Sequence, residues 1–96
     1  MLKHIVMFKF KDASPEIVEE TKRRLLAMKG RIPQLLDIQV GIDVLRSERS
    51  YDLVLETVFE SLETMRAYQV HPVHEEFLQF FLPNRESTIV VDYITD

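Results

Sequence analysis

The feature that most constrains this chain is a change of hydrophobic period along its length. From Lys3 to Phe10 the side chains alternate, with His4, Val6, Phe8 and Phe10 on one side and Lys3, Ile5, Met7 and Lys9 on the other, the two-residue repeat of a strand. His4 is thus expected to point the same way as bulky apolar neighbours. The period then lengthens. Ile17, Val18, Thr21, Leu25 and Met28 make a helical stripe, with Lys22 and Arg23 turned outward. The stretch DASPEIVEE opens that helix: Ser14 suits the capping position, Pro15 the first turn, and Glu16, Glu19 and Glu20 oppose the positive end of the helix dipole. Gly30 marks a stop after about four turns, and Pro33 prevents renewal.

Alternation returns from Asp37 to Leu45, with Ile38, Val40, Ile42 and Val44 opposite Gln39, Gly41 and Asp43. RSERS, 46 to 50, reads as a loop, and Tyr51 to Phe59 as a third strand with Tyr51, Leu53, Leu55 and Phe59 on one face. A loop that short makes the two strands an antiparallel hairpin. Ser61 caps a second helix running from Leu62 to about Val70; Pro72 opens a further helical stretch carrying Val73, Phe77, Phe80 and Phe81, which Pro83 and Asn84 close. Glu86 to Ile94 is the last strand, with Ile89, Val91 and Tyr93 on one side and Val90 and Ile94 on the other. The order β-α-β-β-α-β predicts an α+β, ferredoxin-like fold: a four-stranded antiparallel sheet with helices on one face. Neither repeat nor linker interrupts it, so residues 1–96 read as a single domain.

On such a sheet the face away from the helices should be polar in a monomer. Here Ile5, Met7, Leu45, Val54, Val58, Val90 and Ile94 are assigned to it, beside Lys9, Asp43, Glu56 and Asp92. Each aliphatic side chain removed from water is worth roughly 1.5 to 3 kcal/mol, so the expectation is a homodimer in which two helix-free faces meet and form a barrel. The net charge of −4 argues against nucleic acid and anionic membrane as partners. The basic run KRR at 22 to 24, with Lys29 and Arg31 beyond it, reads as a solvated helix face. No cysteine is present, which leaves any metal to histidine and carboxylate. The N-terminal apolar run is broken by Lys9 and is too short to span a bilayer; the expected compartment is the cytoplasm.

The chemistry-bearing stretch is AYQVHPVHEEF, Ala67 to Phe77, which holds two of the three histidines around a proline. Three readings compete. In the first, His71 and Pro72 shape a turn between helices, His74 starts the next helix, and His4 is a core histidine with a satisfied ring. In the second the histidines hold a metal, but HPVH lacks the spacing and internal glutamate of HExxH, and catalytic zinc asks for three protein ligands. In the third, imidazole removes a proton next to a carbonyl while the Tyr68 phenol donates to the developing enolate oxygen, chemistry that calls for no cofactor.

HIVMFKF, the VG of QVGID, YDLVLETVFES, AYQVHPVHEEF and the terminal IVVDY together resemble the stress-responsive dimeric α/β-barrel family, Dabb, over nearly the whole chain. The resemblance implies a ferredoxin-like protomer that dimerises through its sheets, in a family known mostly as stress-associated proteins without an assigned reaction. It also implies that Tyr68 and His74 match the acid–base pair of members that are polyketide cyclases, that His4 lines the same pocket, and that His71 orients the turn. The helix-facing apolar residues, Phe8 and Phe77 among them, predict a small apolar pocket for a small apolar ligand. The alternatives it leaves open are a cofactor-free cyclase, isomerase or lyase and a cofactor-free monooxygenase. Some members bind a cation through main-chain carbonyls after the first helix, near Ile32 to Leu36; the residues commit to no metal and no cofactor.

Overall fold

The computed structural model describes residues 1–95. Its elements are β1 (Leu2–Phe10), α1 (Pro15–Leu26), β2 (Asp37–Ile42), β3 (Leu53–Phe59), α2 (Leu62–Gln69), α3 (Pro72–Phe81), a 3₁₀ turn (Leu82–Asn84) and β4 (Arg85–Ile94). The strands form one antiparallel sheet in the order β2-β3-β1-β4, the ferredoxin-like arrangement that the sequence predicts. Among the described residues no helix is long and apolar enough to cross a membrane.

Strand alternation builds the core. Leu2, Val6, Phe8 and Phe10 from β1 and Leu53, Leu55 and Phe59 from β3 are buried under the helices. Phe8 meets Phe81 with ring centroids 4.7 Å apart, and Phe77 stacks on Phe81 at 5.8 Å. Aromatic pairs of this kind add about 0.5 to 1.5 kcal/mol to the area they bury.

Helix starts follow the sequence closely, ends less so. Ser14 sits at the N-cap of α1 without a side-chain capping bond, and Pro15 begins the helix. Ser61 does cap α2, in a reciprocal box with Thr64. The cap of α3 is His71, whose Nδ1 accepts from the Val73 N–H at 3.1 Å, with Pro72 following. Helix α1 stops at Leu26, before Met28; a series of turns then buries Met28, Ile32 and Leu35, and Gly30 takes a left-handed φ of +86°.

Three sequence expectations are corrected by the pairing. First, β2 ends at Ile42, so Val44 and Leu45 lie in an exposed loop and Leu45 is not part of the helix-free face. Second, Tyr51 precedes β3 and belongs to the helix-free side. Its hydroxyl meets Ser87 Oγ at 2.8 Å, and Lys9 Nζ stands 5.6 Å from its ring. Asp52 is the buried neighbour, accepting from the Phe10 N–H at 2.8 Å and from Arg46 Nη2 at 2.7 Å. Third, the phase of β4 is inverted. Val6 pairs with Val90, His4 with Asp92 and Leu2 with Ile94, which puts Val90, Asp92 and Ile94 on the helix side and Ile89, Val91 and Tyr93 on the other. An edge strand apolar on both faces carries no sign in its alternation; only its register against β1 supplies one.

Candidate functional site

A cavity of about 170 Å³ lies between the sheet and the α2–α3 pair. His4, Tyr68, His74, Phe8 and Phe77 all line it, so strand alternation and the α2–α3 turn bring together residues far apart in the chain. His71 does not line it and serves as the cap described above.

Tyr68 comes from the last turn of α2 and is fully buried, its ring 4.8 Å from Phe59 and 6.5 Å from the His4 ring. His74 stands in the first turn of α3, the Pro72 start having turned the chain so that its ring reaches Tyr68 edge-on at 4.6 Å. Among the described residues three buried side-chain atoms lack a hydrogen-bond partner: Tyr68 Oη, His74 Nδ1 and Gln34 Oε1. The first two line this one cavity; the third belongs to the connection after α1. A buried hydroxyl or ring nitrogen left unpaired costs about 1 to 3 kcal/mol, so two of them together call for a polar atom supplied from outside the chain.

Burial pushes the Tyr68 phenol above its ordinary value, so it keeps its proton at neutral pH. Burial also holds the His74 imidazole below its ordinary value, the Gln69 backbone opposing, and favours the neutral ring. The pair is therefore a proton donor beside a free base. His4 differs: its Nδ1 is engaged by the Asp92 carboxylate, which orients the ring from the β4 side.

Asp92 is the residue sequence reasoning missed, because it assigned the aspartate to the opposite face. The pairing of β1 with β4 would have found it, since His4 and Asp92 are direct antiparallel partners. Among the described residues no group of three or more His, Asp or Glu side chains gathers to hold a metal. In the connection after α1 the Ile32 carbonyl already accepts from the Leu35 N–H at 3.1 Å.

This geometry, an antiparallel sheet in the order β2-β3-β1-β4 with a tyrosine and histidines closing one cavity beneath its helices, is that of a small ferredoxin-like α+β protein. The chain belongs to the Dabb family: the family model for the stress responsive A/B barrel domain matches residues 2–95. It is similar to olivetolic acid cyclase of Cannabis sativa, 33% identical over 95 residues that cover 96% of this chain and 94% of the cyclase. It is equally similar to the stress-response A/B barrel domain-containing protein HS1 of Arabidopsis thaliana, 33% identical over 96% of this chain and 87% of that one. Among solved structures, a dimeric protein with a ferredoxin-like fold from Bacteroides fragilis superposes with a TM-score of 0.87 at 27% identity, over 98% of this chain and 95% of the other.

Proposed function

We propose that this Dabb protein, working as one unit over its whole length, binds a small, largely apolar carbonyl compound and moves a proton next to the carbonyl, as a cofactor-free cyclase or isomerase does. The observation that carries the reading is the pair of unpartnered buried atoms, Tyr68 Oη and His74 Nδ1, on one apolar cavity. Neutral His74 takes the α-proton through Nδ1; Tyr68 donates its O–H to the oxygen as negative charge develops there, and the proton then returns to carbon or passes to the leaving group. The Asp92-held His4 closes the polar end. The likeness to a protein named as a cyclase supports this assignment.

The test is α-proton exchange of 2-octanone in heavy water, followed by NMR. Tyr68→Phe is expected to slow it about a hundredfold and His74→Ala at least as much. Exchange at the uncatalysed rate with the wild-type chain would leave a binding protein without turnover, and catalysed exchange unaffected by both substitutions would remove Tyr68 and His74 from the chemistry. Turnover that requires molecular oxygen would point to a monooxygenase instead.

The working form we propose is a homodimer joined through the helix-free face. That face carries Ile5, Met7, Val54, Val58, Ile89 and Val91, with Val91 63% and Ile89 50% exposed in the single chain. Covering such side chains is worth roughly 1.5 to 3 kcal/mol each, and the Bacteroides fragilis relative is dimeric. Sedimentation velocity at micromolar concentration is expected to give a dimer that Val91→Asp converts to monomer; a monomeric wild type refutes it. The cytoplasm is the compartment we propose, to be checked by cell fractionation.

A further inference from the structure

We propose that the ligand of this cavity is a small carboxylic acid, its carboxylate at the end remote from Tyr68 and His74, and that Arg85 selects it. The inference rests on reading that cavity as a ligand site, and it adds the substrate's charge. Along the β1–β4 pair the cavity side runs from His4 and Asp92, through Val6 and Val90, to Phe8 and Thr88, and then to Phe10 and Arg85. The far end is therefore cationic, separated from the polar pair by apolar wall.

That placement depends on an irregularity. Lys9 pairs with Ser87, but Phe10 pairs with Arg85, so Glu86 is skipped at a register shift. In an unbroken ladder Glu86 would stand opposite Phe10 and present a carboxylate on the helix side. The bulge substitutes an arginine, one of the ways bulges re-aim side chains beside sites. The Arg85 N–H is held by the Leu82 carbonyl, which fixes where the strand begins. Among the described residues its guanidinium forms no ion pair; Arg31, Arg49 and Arg66 are unpaired too, but Arg85 is the one of these that lines the cavity. Guanidinium recognises a carboxylate by paired charge-assisted hydrogen bonds. A volume of about 170 Å³ is below that of drug-sized sites, which limits the acid to modest length.

The experiment is calorimetric titration of the full chain with octanoate and with octanamide, which share a tail and differ in charge. Wild type should prefer octanoate about tenfold, the scale of one charge-assisted contact, and raised salt should narrow the gap. Arg85→Gln should abolish the preference while binding octanamide as before, which also shows that the variant is folded; Arg85→Lys should keep part of it. Equal binding of both probes by wild type, binding of neither, or a preference that survives Arg85→Gln overturns the proposal. Failure of the acid–base reading is separable: Tyr68→Phe should slow α-proton exchange about a hundredfold and leave the octanoate preference intact. A chain that prefers octanoate but exchanges no α-protons keeps this inference and loses the other.

Discussion

Two buried polar clusters flank opposite ends of β1. At the Phe10 end the Asp52 carboxylate, 4% exposed, spends both oxygens: one on the Phe10 N–H and one on Arg46, which reaches it from the β2–β3 loop through a left-handed φ of +58°. At the His4 end Tyr68 is fully buried and His74 partly so, and among the described residues their covered Oη and Nδ1 atoms have no partner. Buried polar groups that hold a fold are paired, because the fold is what supplies the partner. Groups buried without one lower stability, and two that share one cavity can regain their bonds from a ligand. The contrast separates a structural carboxylate from a candidate acid–base pair without recourse to any relative.

The largest effect is expected at the satisfied cluster. Asp52→Ala leaves the Phe10 N–H without its acceptor, and should lower unfolding free energy by about 2 to 4 kcal/mol in urea titrations. Most of that comes from the buried backbone group, since Arg46 is half exposed and its share is screened. A loss under about 1 kcal/mol would mean that the paired cluster is not holding the loop to β1.

A smaller effect, visible only with pH, belongs to His74. Because burial holds its folded value below the ordinary 6.5, the unfolded chain binds more protons in the window between the two. Stability is then full above the ordinary value and is lost as pH falls through that window, at no more than about 1.4 kcal/mol per pH unit. His74→Gln should flatten the difference in urea midpoints across a pH series. Parallel curves for wild type and variant would show that the folded ring charges as easily as the unfolded one, so that burial does not hold it neutral.

How much of this was legible in the sequence depended on whether a residue's environment is set locally. Alternation alone sent His4 and Phe8 towards the helices, and helical spacing placed Phe77 on the apolar stripe; that Tyr68 and His74 share a pocket with them came from the family resemblance, because Pro72 leaves the angle between the two helices open to local reading. The fold class was legible for a like reason: the order of the elements and one short β2–β3 connection leave few topologies. What escaped was set by pairing between distant segments. Asp92 and Val90 went to the wrong face because β4 is apolar on both sides and only its register against β1 fixes the phase. Arg85 escaped because the last strand was drawn from Glu86, whereas β4 begins one residue earlier and a bulge pairs Arg85 with Phe10. Tyr51 and Asp52 exchanged faces where alternation was extrapolated past the true start of β3. Helix α1 was drawn too long because buried Met28 continues its spacing, although the chain there has left the helix for turns.

The smallest stability change, and the most telling, is expected for Tyr68→Phe. The substitution removes a single oxygen that is fully buried and has no partner among the described residues, and it keeps the ring that packs on Phe59 and His74. Deleting an unpaired polar atom relieves its desolvation cost and sacrifices only the volume of that atom, so the two contributions oppose one another. Unfolding free energy should shift by less than about 1 kcal/mol, and a gain is as acceptable as a loss. Compared with Asp52→Ala under the same conditions, the variant tests the contrast directly: both remove buried oxygen, but one oxygen is employed by the fold and the other is held for something else. Destabilisation as large as that of Asp52→Ala would show that the Tyr68 hydroxyl already serves the fold, and the cavity would lose its proton donor.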